Sequence, residues 1–399
     1  MTQRRLGRRD ALRISGLGAL GAALAACGVQ GKAKPNASAA PDAVEKYWSG
    51  KAKAGHVDFA NWPLYMDPQK PELKAFTKET GISVNYQEVI QEMGPWFAKV
   101  QPQLSAGQSI GFDLMVITNS IQFAQFRDSG FLAPLDHSKL PNYTKNAAAS
   151  YSKEAFDPGN VYSVPWASGM TGIAYDEKKT GKITKLADLW RPEFKGKIGM
   201  FSDTQELANF GLLKLGIDPA RSTADDWQKA ADDLKKQKPL VRKYYDQSYV
   251  DALGKGEVWL TQAWSGDIYQ KNISDNTDFK FIVPEEGGTI WTDNMTIPIT
   301  AKAPVDAIQL IDWFYRVDQA ASLAEYINYV CPVPAAQEQI KKDAAKKSGD
   351  DKQALLDLSA SPLVFPSQEL YSKLHYYVSF TAVDEQQTFQ KIFEPIVLS

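Results

Sequence analysis

An apolar run, Phe112-Asp113-Leu114-Met115-Val116-Ile117, decides the fold class of this chain. Such a nearly continuous run is typical of a parallel strand that is covered on both faces. The polar Thr118-Asn119-Ser120 follows directly, and the pattern recurs at residues 197–201, which precede Ser202-Asp203 and a helix that Gly216 ends. Strand, polar turn and helix make up the βα unit, so the sequence predicts an α/β fold with a parallel sheet.

The alternation of strands and helices extends toward the N-terminus. Val57-Asp58-Phe59 alternates like a strand, and residues 82–86 form the next one. Between them the sequence predicts a helix that begins at Asp67-Pro68 and ends at Gly81, because Asp and Pro favour helix starts and Gly favours helix ends.

Ligands on parallel sheets bind beyond the carboxyl ends of the strands. By this rule, the candidate ligand-binding turns are residues 61–65, 118–120 and 202–206. Two later strands are predicted at 258–260 and 279–283, and they add Trp264 and residues 291–293. The candidate ligand-binding residues in these turns are Trp62, Tyr65, Thr118, Asp203, Glu206, Trp264, Trp291 and Asp293.

The candidate residues combine aromatic rings with carboxylates. Aromatic faces attract ammonium groups by ~0.5–2 kcal/mol each and also cover methylene segments. A carboxylate adds a charge-assisted hydrogen bond to an amine. The combination predicts a slot for a linear organic cation.

Structural roles for the same residues stay open at this point. Asp203-Thr204-Gln205-Glu206 has the capping-box pattern, in which Asp203 accepts from the first free N–H groups of a helix and Glu206 reaches back. The tryptophans could belong to the core. Asp293 could be a turn acid.

Charge and motifs exclude several other classes. The chain has 399 residues, enough for two domains, and a net charge of −2 that becomes more negative when residues 1–26 are removed. No basic surface for nucleic acid is expected. His56, His137 and His375 lack the spacing of a zinc site or a catalytic triad. Tyr244-Tyr245 could hold ferric iron through paired phenolates or could pack as an amphipathic surface.

The first 26 residues are typical of an export signal. A basic head, an apolar segment too short to span a bilayer, and Leu24-Ala25-Ala26-Cys27 predict cleavage before Cys27 and a lipid on its thiol. Arg8-Arg9-Asp10-Ala11-Leu12-Arg13 resembles a twin-arginine signal. The alternative is an ordinary buried cysteine in a helix at the start of the chain. Besides Cys27 only Cys331 carries a thiol, so no intrachain disulfide framework is expected.

A polar linker is predicted to join the lipidated cysteine to the folded body. Residues 27–55 are rich in Ala, Gly, Lys, Ser and Pro, which bury too little apolar surface to order themselves. Tyr47 and Trp48 interrupt this composition, and we expect them to pack on the body.

Several long segments, in the right order, resemble the solute-binding proteins of spermidine/putrescine ABC importers. They include Phe59-Ala60-Asn61-Trp62 with Tyr65, residues 156–165, residues 187–196 and residues 285–293. The resemblance implies a two-lobed type II periplasmic-binding-protein-like fold with a ligand cleft between the lobes. It implies an aromatic box formed by Trp62, Tyr65, Trp264, Trp291 and Tyr329. It also implies that three carboxylates bind the amines, namely Asp203, Glu206 and Asp293.

Lobe 1 is expected to comprise residues 56–166 and 292–337, and lobe 2 residues 167–291 and 338–399. Closure would bring Trp62 and Tyr65 of one lobe against Asp203, Glu206 and Trp264 of the other. No ligand residue is assigned after Gln337.

Three positions depart from the family pattern. Pro63 and Leu64 stand where the family usually has a hydroxyl and an acid, and Ser120 stands where an aromatic residue is common. The slot lacks one carboxylate at this end, which favours a diamine, a monoamine or another small cation over a triamine.

The sequence therefore predicts a monomeric, lipid-anchored binding protein on the outer face of the cell membrane, which needs no cofactor and catalyses no reaction. Its partners would be a polyamine and an ABC permease with its ATPase subunits. A binding protein for ferric iron or another small solute is the alternative within the same class. An extracellular hydrolase with a carboxylate pair is the alternative from another class.

Overall fold

The computed structural model describes residues 41–154, 156–380 and 383–398. The predicted signal peptide, Cys27 and the first part of the predicted linker lie outside the described residues. In the described ranges, no helix is both long enough and apolar enough to cross a membrane.

The described residues contain ten strands and sixteen α-helices. The strands are β1 His56–Asn61, β2 Ser83–Glu88, β3 Leu114–Thr118, β4 Ser163–Tyr175, β5 Ile198–Phe201, β6 Val241–Tyr245, β7 Leu260–Trp264, β8 Lys280–Ile282, β9 Gly288–Thr296 and β10 Leu374–His375. The helices are α1 Pro41–Trp48, α2 Pro71–Thr80, α3 Met93–Ser105, α4 Ile121–Asp128, α5 Pro141–Asn146, α6 Glu177–Thr180, α7 Thr204–Lys214, α8 Ala224–Gln237, α9 Tyr249–Gly254, α10 Ser265–Asp275, α11 Pro304–Phe314, α12 Val317–Ile327, α13 Ala336–Ala344, α14 Gly349–Ala360, α15 Gln368–Tyr371 and α16 Val383–Leu398.

The strands form one mixed sheet in the order β2-β1-β3-β9-β4-β7-β5-β6, with β8 beside β4 and β10 beside β9. The predicted parallel pairing occurs at the two ends, between β1 and its neighbours β2 and β3 and between β5 and its neighbours β6 and β7. The centre differs, because β4 and β9 run antiparallel to each other, β9 runs antiparallel to β3, and β4 runs antiparallel to β7. The prediction of a parallel sheet is therefore correct for the two ends and wrong for the centre.

The two central strands connect two separately packed halves. The first half has its cores around β1 and β3, with Phe59, Leu114 and Trp96 among their buried residues. The second half has its cores around β5 and β7, with Ile198 and Tyr249. Since β9 pairs with β3 and β4 pairs with β7, the chain crosses between the halves along β4 and β9.

The C-terminal segment divides between these cores. Ile340, Leu358 and Val364 lie in a core of the first half, although residues 338–399 were all expected in lobe 2. Phe389 and Phe393 of α16 lie in a core of the second half. Helix α13 packs against α12, and α14 packs against α13, so the first part of residues 338–399 lies with the first half.

The predicted linker contains a packed helix, α1. The indole Nε1 of Trp48 donates to the carbonyl of Pro134 at 2.8 Å, and its ring is buried. The backbone N–H of Ala54 donates to the Asp306 carboxylate at 2.6 Å. Tyr47 also packs against a core of the first half, so both aromatic residues of the predicted linker lie on the body as expected.

The start of one predicted helix needs correction. Helix α2 begins at Pro71 rather than at Pro68, because Asp67 accepts from the N–H of Gln69 and closes a turn instead of capping the helix. Gly81 ends the helix as predicted, with φ 74° and its N–H donating to Thr77.

The paired-phenolate alternative does not fit strand β6. Consecutive residues of a strand point to opposite faces. Tyr244 accordingly packs against one core of the second half and Tyr245 lies in another. The two phenols therefore do not face one site.

Candidate functional site

Asp293 is a buried carboxylate within β9, 4 % exposed. Its Oδ2 accepts from the Tyr65 hydroxyl and its Oδ1 from the Thr118 hydroxyl, both at 2.5 Å. Burial raises the pKa of Asp293 to about 6, and the two hydrogen bonds oppose this rise because they favour the charged form. The alternative of a turn acid does not hold, since residues 291–293 lie inside strand β9, which the sequence analysis did not predict.

Glu206 is a second buried carboxylate, 3 % exposed, in the first turn of α7. Its Oε1 accepts from the Thr171 hydroxyl at 2.7 Å, the Trp264 indole at 2.8 Å and the Tyr377 hydroxyl at 2.5 Å. Burial raises the pKa of Glu206 to about 7. The sequence analysis assigned no ligand residue after Gln337 and therefore missed Tyr377.

Neither carboxylate has a cationic partner among the described residues. Burying an ionised carboxylate is unfavourable unless a cation or hydrogen bonds compensate it. At both positions hydroxyl or indole donors supply part of that compensation. A bound organic cation would supply the remaining compensation for the two negative charges.

Asp203 caps helix α7, as the capping-box interpretation required. Its Oδ1 accepts from the N–H groups of Gln205 and Glu206, both at 2.9 Å. The other half of that interpretation is wrong, because the Glu206 carboxylate bonds Thr171, Trp264 and Tyr377 instead of reaching back to the cap. Asp203 is an exposed side chain, so its contribution of charge to the site is weaker than that of Glu206.

Asp267, in the first turn of α10, is a site residue that the sequence analysis missed. Its two carboxylate oxygens accept from the hydroxyls of Tyr249 and Tyr329, each at 2.8 Å. Burial raises its pKa. The available signal was its position three residues after Trp264, in the turn that follows β7.

Four aromatic rings form a continuous wall between the two carboxylates. The Tyr65 ring lies 5.8 Å from that of Tyr329, and the Tyr329 ring lies 5.3 Å from that of Trp291. The Trp291 ring lies 6.4 Å from that of Trp264. Because Tyr65 bonds Asp293 and Trp264 bonds Glu206, the wall has an acid at each end.

Trp62 lies at the edge of this group. Its indole Nε1 donates to the carbonyl of Val116 at 3.1 Å, and its side chain is half-buried. The contacts thus bring seven predicted residues together: Tyr65, Thr118, Glu206, Trp264, Trp291, Asp293 and Tyr329. Asp203 caps α7 at the edge of this group, and Trp62 is bonded to strand β3.

Two glycines allow the rings to approach the backbone. A Cβ atom at Gly169 would lie 2.1 Å from the Trp291 ring, and one at Gly266 would lie 2.6 Å from the Tyr329 ring. Heavy atoms do not approach so closely without a shift of the ring. Glycine is therefore required beside both rings.

Leu64 is an apolar residue at a position where an acid is usual in the family that this chain resembles. It is 64 % exposed and has φ 59°, a left-handed conformation that is unfavourable for leucine. Ser120, the third departure, bonds Gln122 at 2.9 Å. Because residue 64 is a leucine, the Asp293 end of the site has no second carboxylate at that position.

Comparison with known proteins assigns the family. A family described as bacterial extracellular solute-binding protein matches residues 108–353. This chain belongs to that family. The solute-binding protein is 31 % identical over 300 residues to the spermidine/putrescine-binding periplasmic protein of Escherichia coli, covering 73 % of this chain and 83 % of the relative. It is 29 % identical over 326 residues to the putrescine/agmatine-binding protein of Pseudomonas aeruginosa, covering 76 % of this chain and 85 % of that protein.

The fold of this solute-binding protein also has solved counterparts. The spermidine/putrescine ABC transporter substrate-binding protein of Streptococcus pneumoniae superposes with a TM-score of 0.72 at 24 % identity, over 87 % of this chain and 99 % of that one. The expected two-lobed periplasmic-binding-protein-like fold is thereby confirmed.

Proposed function

We propose that this solute-binding protein captures a polyamine and delivers it to an ABC permease. The observation that carries the proposal is the aromatic wall with a buried carboxylate at each end, Asp293 and Glu206. Ammonium groups fit the carboxylates, and the methylene chain between them fits the ring faces. Relatives named for binding spermidine, putrescine and agmatine support this ligand class.

A diamine matches the two carboxylates at the ends of the wall, Asp293 and Glu206. Each end of the wall offers one buried carboxylate, and Asp267 lies beside Tyr329 between them. Leu64 is uncharged and exposed, so a third amine beyond Asp293 would find no partner there. We therefore place putrescine ahead of spermidine.

The ferric-iron alternative finds no support at this site. Iron binding by tyrosine requires phenolates. Tyr65 and Tyr329 both donate their hydroxyl protons to carboxylates, and burial raises the pKa of each well above its ordinary value. Both phenols therefore stay protonated at neutral pH.

The protein would act outside the cytoplasm as a monomer, held to the membrane by lipid on Cys27 after export through the twin-arginine pathway. Its partners would be the permease and the ATPase subunits of an importer. We propose that it binds without catalysis and releases its ligand unchanged.

Isothermal titration of the purified mature protein tests the ligand class. We expect heat from putrescine, a smaller affinity for spermidine, and no binding of ferric citrate. Mass spectrometry of the recovered ligand should show unaltered putrescine. Binding of a sugar or an iron chelate with no response to amines would contradict the proposal, and a hydrolysed product would indicate an enzyme.

A further inference from the structure

Helix α10 belongs to the second half of the molecule. Its residue Ile268 lies in the core that also contains Tyr249, and the helix packs against β7, β4 and β8. The Asp267 carboxylate of α10 accepts from the Tyr249 hydroxyl at 2.8 Å, within the same half. The second half therefore fixes the position of α10.

The same helix also contacts the first half. The Asp267 carboxylate accepts from the Tyr329 hydroxyl at 2.8 Å, and the Tyr269 side chain packs against a core of the first half. The Nε2 of Gln270 donates to the carbonyl of Ile327 at 2.9 Å. Ile327 and Tyr329 are both buried in that core. Because residues three apart lie on one face of a helix, Asp267 and Gln270 meet the first half side by side.

The carbonyl of Ile327 is a free acceptor because of its place in α12. Ile327 is the last residue of that helix, and Asn328 follows it in the left-handed conformation with φ 57°. Carbonyl groups in the last turn of an α-helix have no donor within the helix. Gln270 supplies a donor from the other half, so this hydrogen bond exists only while the two halves are in contact.

We propose that Gln270 is a positioning residue for ligand capture: its hydrogen bond to the Ile327 carbonyl holds the two halves together around a bound ligand. This inference rests on the proposed function. Gln270 lies one helical turn after Asp267 and outside the aromatic wall, so it acts on the ligand only through the contact between the halves.

The size of the effect follows from the equilibrium between the open and closed forms. A ligand that touches both halves binds tightly only to the closed form, so its apparent affinity scales with the closed fraction. The net contribution of one hydrogen bond changes such an equilibrium by about threefold to tenfold. Loss of the Gln270 bond should raise the dissociation constant by the same factor, mainly through faster dissociation.

The variants Gln270→Leu and Gln270→Glu test the proposal. Leucine has no donor, and glutamate has the shape of glutamine but places an ionised acceptor against a carbonyl. We expect putrescine to bind about threefold to tenfold more weakly to Gln270→Leu and at least as weakly to Gln270→Glu. Calorimetric titration measures the affinities, and stopped-flow tryptophan fluorescence measures the dissociation rates.

Gln337→Leu is the matched control. Gln337 is also half-buried, and its Nε2 donates to a backbone carbonyl, that of Ser359, at 2.8 Å. Both partners lie in the first half, since their neighbours Ala336 and Leu358 are buried in its core. The control loses the same kind of hydrogen bond within one half. We therefore expect unchanged affinity for putrescine, and thermal unfolding without ligand measures any loss of stability in each variant.

Wild-type affinity and dissociation rate in both Gln270 variants would overturn the positioning role while leaving the proposed function intact. Equal losses of affinity in Gln270→Leu and Gln337→Leu would also overturn it, because the effect would then not depend on the contact between the halves. A failure of putrescine to bind the wild type and the control would instead overturn the proposed function and this inference with it.

Discussion

Glu206→Gln separates charge from hydrogen bonding at the proposed site. The Glu206 Oε1 accepts from Thr171, Trp264 and Tyr377, and an amide oxygen can accept from the same three donors. The substitution therefore removes the negative charge that an amine would meet and leaves the surrounding side chains in place.

The expected loss of affinity follows from that charge. A hydrogen bond to a charged group contributes ~1.5–3 kcal/mol. Its loss weakens putrescine binding by roughly tenfold to a hundredfold. Asp293→Asn should cause a loss of similar size, since Asp293 is the corresponding buried carboxylate at the other end of the wall.

The pH dependence gives a second, independent readout. Because the amine binds the ionised form and the pKa of Glu206 is raised to about 7, wild-type affinity should fall about tenfold one pH unit below that value. The unliganded protein shows the opposite sign. A raised carboxyl pKa means that the folded state binds the proton more tightly, so the free energy of unfolding decreases as the pH rises from about 4.5 to about 7. Glu206→Gln should lose both contributions.

Calorimetric titration with putrescine measures the affinities, and thermal unfolding without ligand measures the stability. Asp350→Asn serves as the control because Asp350 is an exposed acid on α14. Wild-type affinity in Glu206→Gln would refute the proposed site, and so would a fall in affinity in the control as large as in the variant.

Three further substitutions test other parts of the reasoning. Gly169→Ala places a Cβ atom 2.1 Å from the Trp291 ring, so we expect weaker putrescine binding and a loss of ~1–3 kcal/mol in stability; an unchanged titration would show that the ring does not contact the ligand. Cys27→Ala should release the protein from membranes or block its maturation, and unaltered membrane fractionation with unaltered mass would contradict the lipid anchor. Pro63→Thr combined with Leu64→Glu supplies the missing carboxylate and should raise the affinity for spermidine relative to putrescine, as competition titrations would measure; an unchanged ratio would mean that this end of the slot lies away from the ligand.

Local patterns in the sequence were sufficient for the βα units and their polar turns. The apolar run ending at Ile117 became β3, and the polar residue after it, Thr118, became a donor to Asp293. The sequence also predicted that Asp203 caps a helix, because a capping residue bonds the N–H groups of residues two and three positions later. Periodicity and capping are properties of neighbouring residues, so a sequence displays them directly.

Other site residues depend on contacts that no local pattern contains. Tyr65 and Asp293 are 228 positions apart, and Tyr377 and Glu206 are 171 apart. Asp293 resembled a turn acid until β9 was seen to cross between the lobes beside β4. Such pairings arise when distant strands join, and they carry no signal in residue spacing.

The sequence by itself thus determined the fold class and predicted most of the aromatic and acidic residues that the structure brings together at the proposed site. Only the tertiary structure showed that Asp267 bonds Tyr329 and that Tyr377 bonds Glu206. The reason is burial: a carboxylate acquires a raised pKa and a defined set of donors only when the packed halves exclude water from it.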